Sequence, residues 1–388
     1  MPIFFGQLKS LLLASFLFDG MIAVIIGSTI EPMMRELSIG SPAVSILLFC
    51  DSLGFQAAAL AGGILSDRFG RRFFLLAGFG LLAVFTFLFS RLSMFPLLAV
   101  VWLLIGAGAG FLEVTLTSLT ADLCPDRRGF HLNVAMAFFG FGAMLCPLAS
   151  GMVLENGGSW RLLYLGLAVC FGVMWIFLAA APVPVSAPNE KTAFNPRLFL
   201  DPRFILMTGM MIAYVGAQLS ISSWVCLFLV REQGLSSAGA ATALSVFWGA
   251  MIAGRLWCGI LANRWNEIHL VILISFLGVG GLWLACFIRH PLISGALFGA
   301  TGLFYGGIWP TLMAYGARIF PRDTGAILGT MVASGGAGAM IFPVLLGFMA
   351  KYSSLRISLA ATGLLLVFII IGMIVVGRLQ RMVTETKH

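Results

Sequence analysis

The sequence predicts an all-α membrane protein of twelve transmembrane helices in two pseudo-symmetric six-helix halves. Three observations carry that expectation: a composition too apolar for water, a chain divided into bilayer-length apolar runs, and a charged motif that recurs half a chain later. The 388 residues are 60% hydrophobic and only 10% charged, with a mean hydropathy of +1.04. A soluble domain carries about 25% charged residues. No soluble core hides this much apolar surface, so the surrounding medium is lipid.

The runs, bounded by charge, Pro or Gly, fall at 11–33, 43–66, 73–90, 94–120, 130–154, 160–181, 204–230, 237–262, 268–288, 291–316, 325–350 and 356–378. Each suits a hydrocarbon layer roughly 30 Å thick. The first follows Lys9 and superficially resembles a secretory signal. No small-residue cleavage site follows it and the apolar run continues to Ile30, so it reads as a retained span. After Ala181 the composition changes: Pro182-Val183-Pro184-Val185-Ser186-Ala187-Pro188-Asn189-Glu190-Lys191 is Pro-rich and polar, and Asn195-Pro196 and Asp201-Pro202 follow. This midpoint interruption reads as a linker. The expected organisation is an N-terminal half over 1–181, a cytoplasmic linker over 182–202 and a C-terminal half over 203–388.

Gly63-Ile64-Leu65-Ser66-Asp67-Arg68-Phe69-Gly70-Arg71-Arg72 packs charge and glycine between two apolar runs and reads as a short tight loop. A weaker copy, Gly259-Ile260-Leu261-Ala262-Asn263-Arg264-Trp265, lies 196 residues on. The same shift carries Pro125 to Pro321, Gly129 to Gly325, Gly20 to Gly216, and Gly140, Gly142, Pro147 and Gly151 to Gly336, Gly338, Pro343 and Gly347. An even number of spans per half makes the repeats parallel, and such pairs place a solute site near the bilayer midplane.

The net charge of +8 is spread over the ends of apolar runs, without a basic patch interleaved with aromatics, which argues against nucleic acid. With the N-terminus cytoplasmic, fifteen Lys/Arg fall in inner segments and seven in outer ones, leaving Arg255 inside a span. That bias puts both termini and the linker in the cytoplasm. The seven cysteines and four histidines show no metal-ligand spacing, and neither a cofactor nor a disulfide framework is expected.

The loop Gly63-x-Leu65-x-Asp67-Arg68-x-Gly70-Arg71-Arg72, with Ser159-Trp160-Arg161 before the sixth span, closely resembles the signature of major facilitator superfamily transporters. Within that superfamily the chain is similar to fucose-permease-like sugar porters. The stretches that carry this are Gly108 to Glu113, Tyr214 through Gln218 to Trp224, Phe247-Trp248 through Gly254-Arg255, and Ile308-Trp309-Pro310-Thr311. The chain departs from that branch at Ser28, where relatives often carry Asp one turn before a span-ending Pro (here Pro32), and at Gln218, where many carry Glu.

The intramembrane acids are the candidates for proton coupling. Glu113 lies in an apolar span, where an ionised carboxylate costs on the order of 3 kcal/mol. The resemblance implies reversible protonation there. Asp19 and Asp51 are further candidates, while Glu31, near a helix end, can reach water. Asp67, Arg71 and Arg72 read as a gate: Asp67 suits the positive end of the eleventh helix, and Arg71 or Arg72 can pair with Asp122. Arg255 can snorkel and reads as a structural or gating ion-pair member. Gln56, Gln218, Trp224, Trp248, Tyr305, Trp309 and Asn133 supply the stacking faces and amides that suit a polyol. Trp309 is the repeat counterpart of Glu113.

The expected function is secondary active transport of a small polar organic solute, with a sugar as the named candidate, by alternating access and as a proton symporter. The expected setting is a monomer in a cell membrane, a bacterial inner membrane. The alternative is a drug/proton efflux antiporter. That branch usually carries Arg in the fourth span four residues before a Gly, whereas Trp102 and Leu104 precede Gly106 and Gly108 here. An enzyme is not expected: no Gly-x-Ser-x-Gly, His-Glu-x-x-His or phosphate-binding loop is present.

Overall fold

In the computed structural model, residues 2–123, 128–181, 198, 200–261, 264–321 and 323–385 are described, without the side chains of 2–7, 64, 66–68, 128–130, 325 and 383–385. Among them the secondary structure is helical. The helices are α1 (Pro2–Leu37), α2 (Ser41–Phe69), α3 (Arg71–Arg91), α4 (Phe95–Leu123), α5 (Arg128–Glu155), α6 (Trp160–Ala180), α7 (Pro202–Arg231), α8 (Ser237–Leu261), α9 (Glu267–Phe287), α10 (Pro291–Ile319), α11 (Thr324–Tyr352), α12 (Leu355–Ala361) and α13 (Gly363–Glu385). Among the described residues, twelve segments are long and apolar enough to cross a membrane, with Leu355–Met382 counted as one. Helix is the expected outcome in lipid, where each backbone N–H and C=O must find its partner within the segment.

Two boundaries differ from expectation for local reasons. The segment over 63–72, expected as a loop, is almost wholly helical, because α2 runs through Phe69 and α3 begins at Arg71. Gly70 alone makes the turn, at φ 82° and ψ 145°. A side chain at that φ is strained, so a glycine lets one residue do the work of a loop. The last span is interrupted at Thr362, whose N–H donates back to Leu359 O at 3.0 Å, as does its hydroxyl at 2.6 Å. Its backbone stays helical (φ −64°, ψ −21°), so only the bonding register changes.

The chain groups into two compact units, residues 1–190 with 236–245, and residues 191–235 with 246–388. The expected linker lies outside the described residues at 182–197 and 199, as does Asn263. In the first unit, α4 touches α2 backbone to backbone: a methyl on Gly106 would overlap the Asp51 carbonyl, and one on Gly110 the Phe55 carbonyl. The second unit repeats this 196 residues on, where Gly302 lies on the Phe247 carbonyl and Gly306 on the Met251 carbonyl. Small residues allow such close approach between membrane helices. Large apolar side chains such as Phe87, Ile176 and Phe276 stand exposed, which lipid accommodates.

One end of each unit is fastened by a glutamate. Glu36, at the end of α1, accepts 2.7 Å bonds from Trp160 Nε1 and Arg161 Nε at the start of α6. Arg161 also reaches the Ser90 and Leu92 carbonyls. The repeat counterpart, Glu232 after α7, accepts from the Leu355 N–H at 2.6 Å and lies 3.8 Å from Arg356 Nε. Beneath Glu36, Trp160, Tyr164, Trp102 and Phe89 pack as one buried aromatic cluster.

Candidate functional site

Two polar clusters are embedded in the apolar units. In the first unit, Asp19 on α1 and Glu113 on α4 present their carboxyl groups to each other within hydrogen-bonding contact. Asp19 is buried and Glu113 half-buried. A hydrogen bond between two carboxyls requires a proton on one of them, because an ionised carboxylate only accepts. Asp51 on α2 is half-buried, and its own carbonyl is where Gly106 of α4 makes contact. Gln56 is half-buried farther along α2. Ser28 is no substitute for an acid: its hydroxyl donates to Ile25 O on its own helix at 3.0 Å. Neighbouring Thr29 shares a 3.0 Å bond with the Tyr164 hydroxyl.

In the second unit, Tyr214 and Gln218 stand one turn apart on α7, and Tyr305 and Trp309 one turn apart on α10. Their spacing puts each pair on one helix face. The Tyr214 and Tyr305 rings lie with centroids 6.5 Å apart, and the Phe247 ring sits 5.8 Å from Tyr305. Arg255 of α8 faces the Tyr214 hydroxyl. The ion pair expected of Arg255 is not formed among the described residues; its Nη2 lies 3.8 Å from Met251 Sδ instead. Trp224 is fully buried and its indole donates to Pro343 O on α11 at 2.9 Å, so its ring is committed to packing α7 against α11. Trp248 donates to the Ser222 hydroxyl at 3.1 Å. Trp309 is half-buried and Gln218 buried, while Asn133 and Glu31 are exposed and half-buried respectively.

A transport-superfamily model, "Major Facilitator Superfamily", matches residues 11–300. The chain belongs to the Major Facilitator Superfamily. It is a multi-pass membrane protein, and members of this superfamily are transporters rather than enzymes. The chain is 27% identical to the 3-(3-hydroxy-phenyl)propionate transporter of Escherichia coli over 318 residues, covering 76% of this chain and 75% of that one. It is 23% identical to the human sodium-dependent glucose transporter 1 over 396 residues, covering 90% and 75%. Among solved structures, a bacterial homolog of the human lysosomal transporter Spinster, inward-facing and unoccupied, shares the fold with a TM-score of 0.82 at 14% identity, covering 97% of each chain.

The superfamily loop signature ends in an ion pair. Arg71, the first residue of α3, pairs with Asp122 near the end of α4. Of the two arginines expected to compete for Asp122, Arg71 takes it; Arg72 instead donates to Ala179 O near the end of α6 at 2.6 Å. The Asp67 side chain lies outside the described residues. The sequence reading missed a second pair: Glu267, first in α9, binds Arg318 in the last turn of α10 at 2.9 Å. These are the counterparts of Arg71 and Asp122 at the 196-residue shift, with the charges exchanged. The shift itself was the signal that locates them. At the start of α7, Asp201 caps the helix and accepts from Arg203 N at 2.9 Å and Arg203 Nη2 at 2.5 Å. The hydrogen bond from the Arg203 guanidinium holds the Asp201 carboxyl below its ordinary value.

Proposed function

We propose that the protein is a proton-coupled secondary transporter that moves a small polar organic solute across a cell membrane by alternating access. The observation that carries this is the Asp19–Glu113 carboxyl pair, which needs a proton to hold its own hydrogen bond. Carboxyls in lipid-embedded helices are costly, and that cost is met when they serve an ion pathway. Glu113 and Asp19 bind the coupling proton, with Asp51 as a further acid on the same unit. Gln218, Trp309, Tyr305, Trp224 and Gln56 are the candidate solute contacts, with Trp224 already engaged in packing. Arg71, Arg72 and Asp122 latch the α3, α4 and α6 ends as a gate, completed by Asp67 and Arg255. The excess of Lys/Arg in alternate loops places both termini in the cytoplasm, as expected of a bacterial inner-membrane protein. Relatives named for glucose and for a hydroxyphenyl-propionate support a small polar solute as cargo.

Reconstitution into liposomes loaded with a pH-sensitive dye tests the reading. Addition of a transported solute should acidify the lumen in the wild type and not in Asp19→Asn or Glu113→Gln. Solute entry with an unchanged luminal pH in the wild type would rule out proton coupling.

A further inference from the structure

Arg255 is the cation whose expected ion pair is not formed among the described residues. It lies within the α8 span, six residues before the helix ends at Leu261. A guanidinium at such depth is costly and is normally paired. Here no carboxylate lies within ion-pair distance among the described residues. The Arg255 Nε is buried without an acceptor, and so are the hydroxyls of Tyr214 and Tyr305. The remaining Arg255 contacts are a weak one to Met251 Sδ and the facing Tyr214 phenol.

The position is held rigidly. Gly254 meets the Leu303 carbonyl, and Gly306 meets both the Met251 carbonyl and the Arg255 backbone N. Helices α8 and α10 therefore touch backbone to backbone at Arg255, and its Cα cannot drift. The Tyr214 phenol faces the guanidinium, the Tyr305 ring lies beside Tyr214, and Phe247 packs on Tyr305. Buried polar groups are almost always satisfied in native proteins, so the unmet Arg255 Nε and the hydroxyls of Tyr214, which faces Arg255, and Tyr305, whose ring neighbours Tyr214, call for a partner.

The chemistry of that partner follows from the donor set. A guanidinium only donates, and two phenols can turn their O–H bonds the same way. A sugar hydroxyl brings no charge to offset the guanidinium. A carboxylate only accepts, carries one negative charge and matches the planar guanidinium fork. A phosphate dianion would leave one charge unpaired in an apolar setting. The surrounding rings suit an apolar or aromatic body behind the acid group.

We propose that Arg255, with Tyr214 and Tyr305, binds the carboxylate of a small monocarboxylate solute. The proposal rests on the transporter reading and names its substrate class. It gives Arg255 a binding role in place of the ion pair expected from sequence.

The test is counterflow in proteoliposomes and thermal stabilisation of the detergent-purified protein. The probes are 3-phenyllactate, lactate, the two corresponding amides and D-glucose. The expected result is that a carboxylate is exchanged saturably and stabilises the protein, while its amide binds at least about tenfold more weakly. Arg255→Gln should lose that binding, Arg255→Lys should keep part of it, and Tyr214→Phe and Tyr305→Phe should each weaken it several-fold. Without ligand, Arg255→Gln should be as stable as the wild type or more so, because a half-buried guanidinium with no carboxylate partner among the described residues is removed. A structural ion pair would give the opposite. Equal binding of acid and amide, or undiminished carboxylate binding by Arg255→Gln, overturns the proposal. Exchange of glucose with both carboxylates inert also overturns it and leaves the transporter reading standing. No exchange of any probe by folded protein counts against both.

Discussion

Exchanging the charges of Arg71 and Asp122 should make the protein more stable. Arg71 opens α3, where the helix dipole is positive, and Asp122 is the next-to-last residue of α4, where it is negative. Both charges face the unfavourable end of their own helix. The counterparts in the second unit are arranged the other way, with Glu267 opening α9 and Arg318 in the last turn of α10. The Arg71 side chain is 4% exposed and that of Asp122 34%. Breaking a fully buried pair costs about 3–5 kcal/mol, and breaking an exposed one about 0.2–1 kcal/mol. Asp122→Asn should therefore cost about 2 kcal/mol, most of it from the stranded guanidinium. The double variant Arg71→Glu/Asp122→Arg keeps an ion pair and turns both charges to favourable helix ends, each worth about 0.3–1 kcal/mol. Its net gain over wild type is then on the order of 1 kcal/mol. Thermal unfolding in detergent, followed with a thiol-reactive fluorophore, reads this directly, because Cys146, Cys226, Cys258 and Cys286 are free and buried in the fold. A gate must open in each cycle, so the more stable swap should also turn over more slowly. If Asp122→Asn unfolds at the wild-type temperature, or the swap is less stable than either single variant, the reasoning fails.

Glu113→Gln should abolish concentrative, proton-driven uptake and spare solute exchange; measured accumulation equal to wild type would remove Glu113 from the coupling step. Glu36→Gln and Glu232→Gln should lower unfolding stability by about 1–2 kcal/mol each, with the larger loss at Glu232, which holds two backbone N–H groups at the start of α12. Asp201, whose carboxyl is held below its ordinary value of 3.8 by Arg203, adds stability above that pH, and the contribution is lost as pH falls through its lower folded value. An Asp201→Ala variant should lose about 1 kcal/mol at neutral pH and show a flatter acid limb in a pH series of unfolding temperatures. An identical acid limb in variant and wild type would contradict that.

Several parts of this structure were readable along the chain. The spans were, because the cost of an unsatisfied backbone in lipid is a local matter decided run by run. The Gly106 and Gly302 contacts and the Glu36 and Glu232 clamps follow one 196-residue shift, so a repeat seen in sequence reappears as a repeat of packing. The exchanged pair Glu267–Arg318 was readable by the same shift and was overlooked, because the charge reversal hides the match. The turn at Gly70 was misjudged as a longer loop. A single glycine with positive φ suffices there, and its sequence neighbours keep helical geometry.

The sequence by itself determined the membrane setting, the span count, the repeat and which ionisable residues are anomalous in lipid. Tertiary structure alone decided their partners. Helices that are apolar on all sides carry little pattern to say which face turns inward. Nothing in the chain order therefore told that Asp19 meets Glu113, that Arg71 rather than Arg72 takes Asp122, or that Trp224 is spent on the Pro343 carbonyl. The same holds for Arg255. In the sequence it is the one arginine that falls inside a span, able to snorkel or to join an ion pair. In the fold, close contacts at Gly254 and Gly306 fix it opposite the Tyr214 phenol, with no carboxylate within ion-pair distance among the described residues. The physical reason is that span formation depends on the free energy of a segment in lipid, whereas pairing depends on the rotation of each helix about its own axis, which only packing sets.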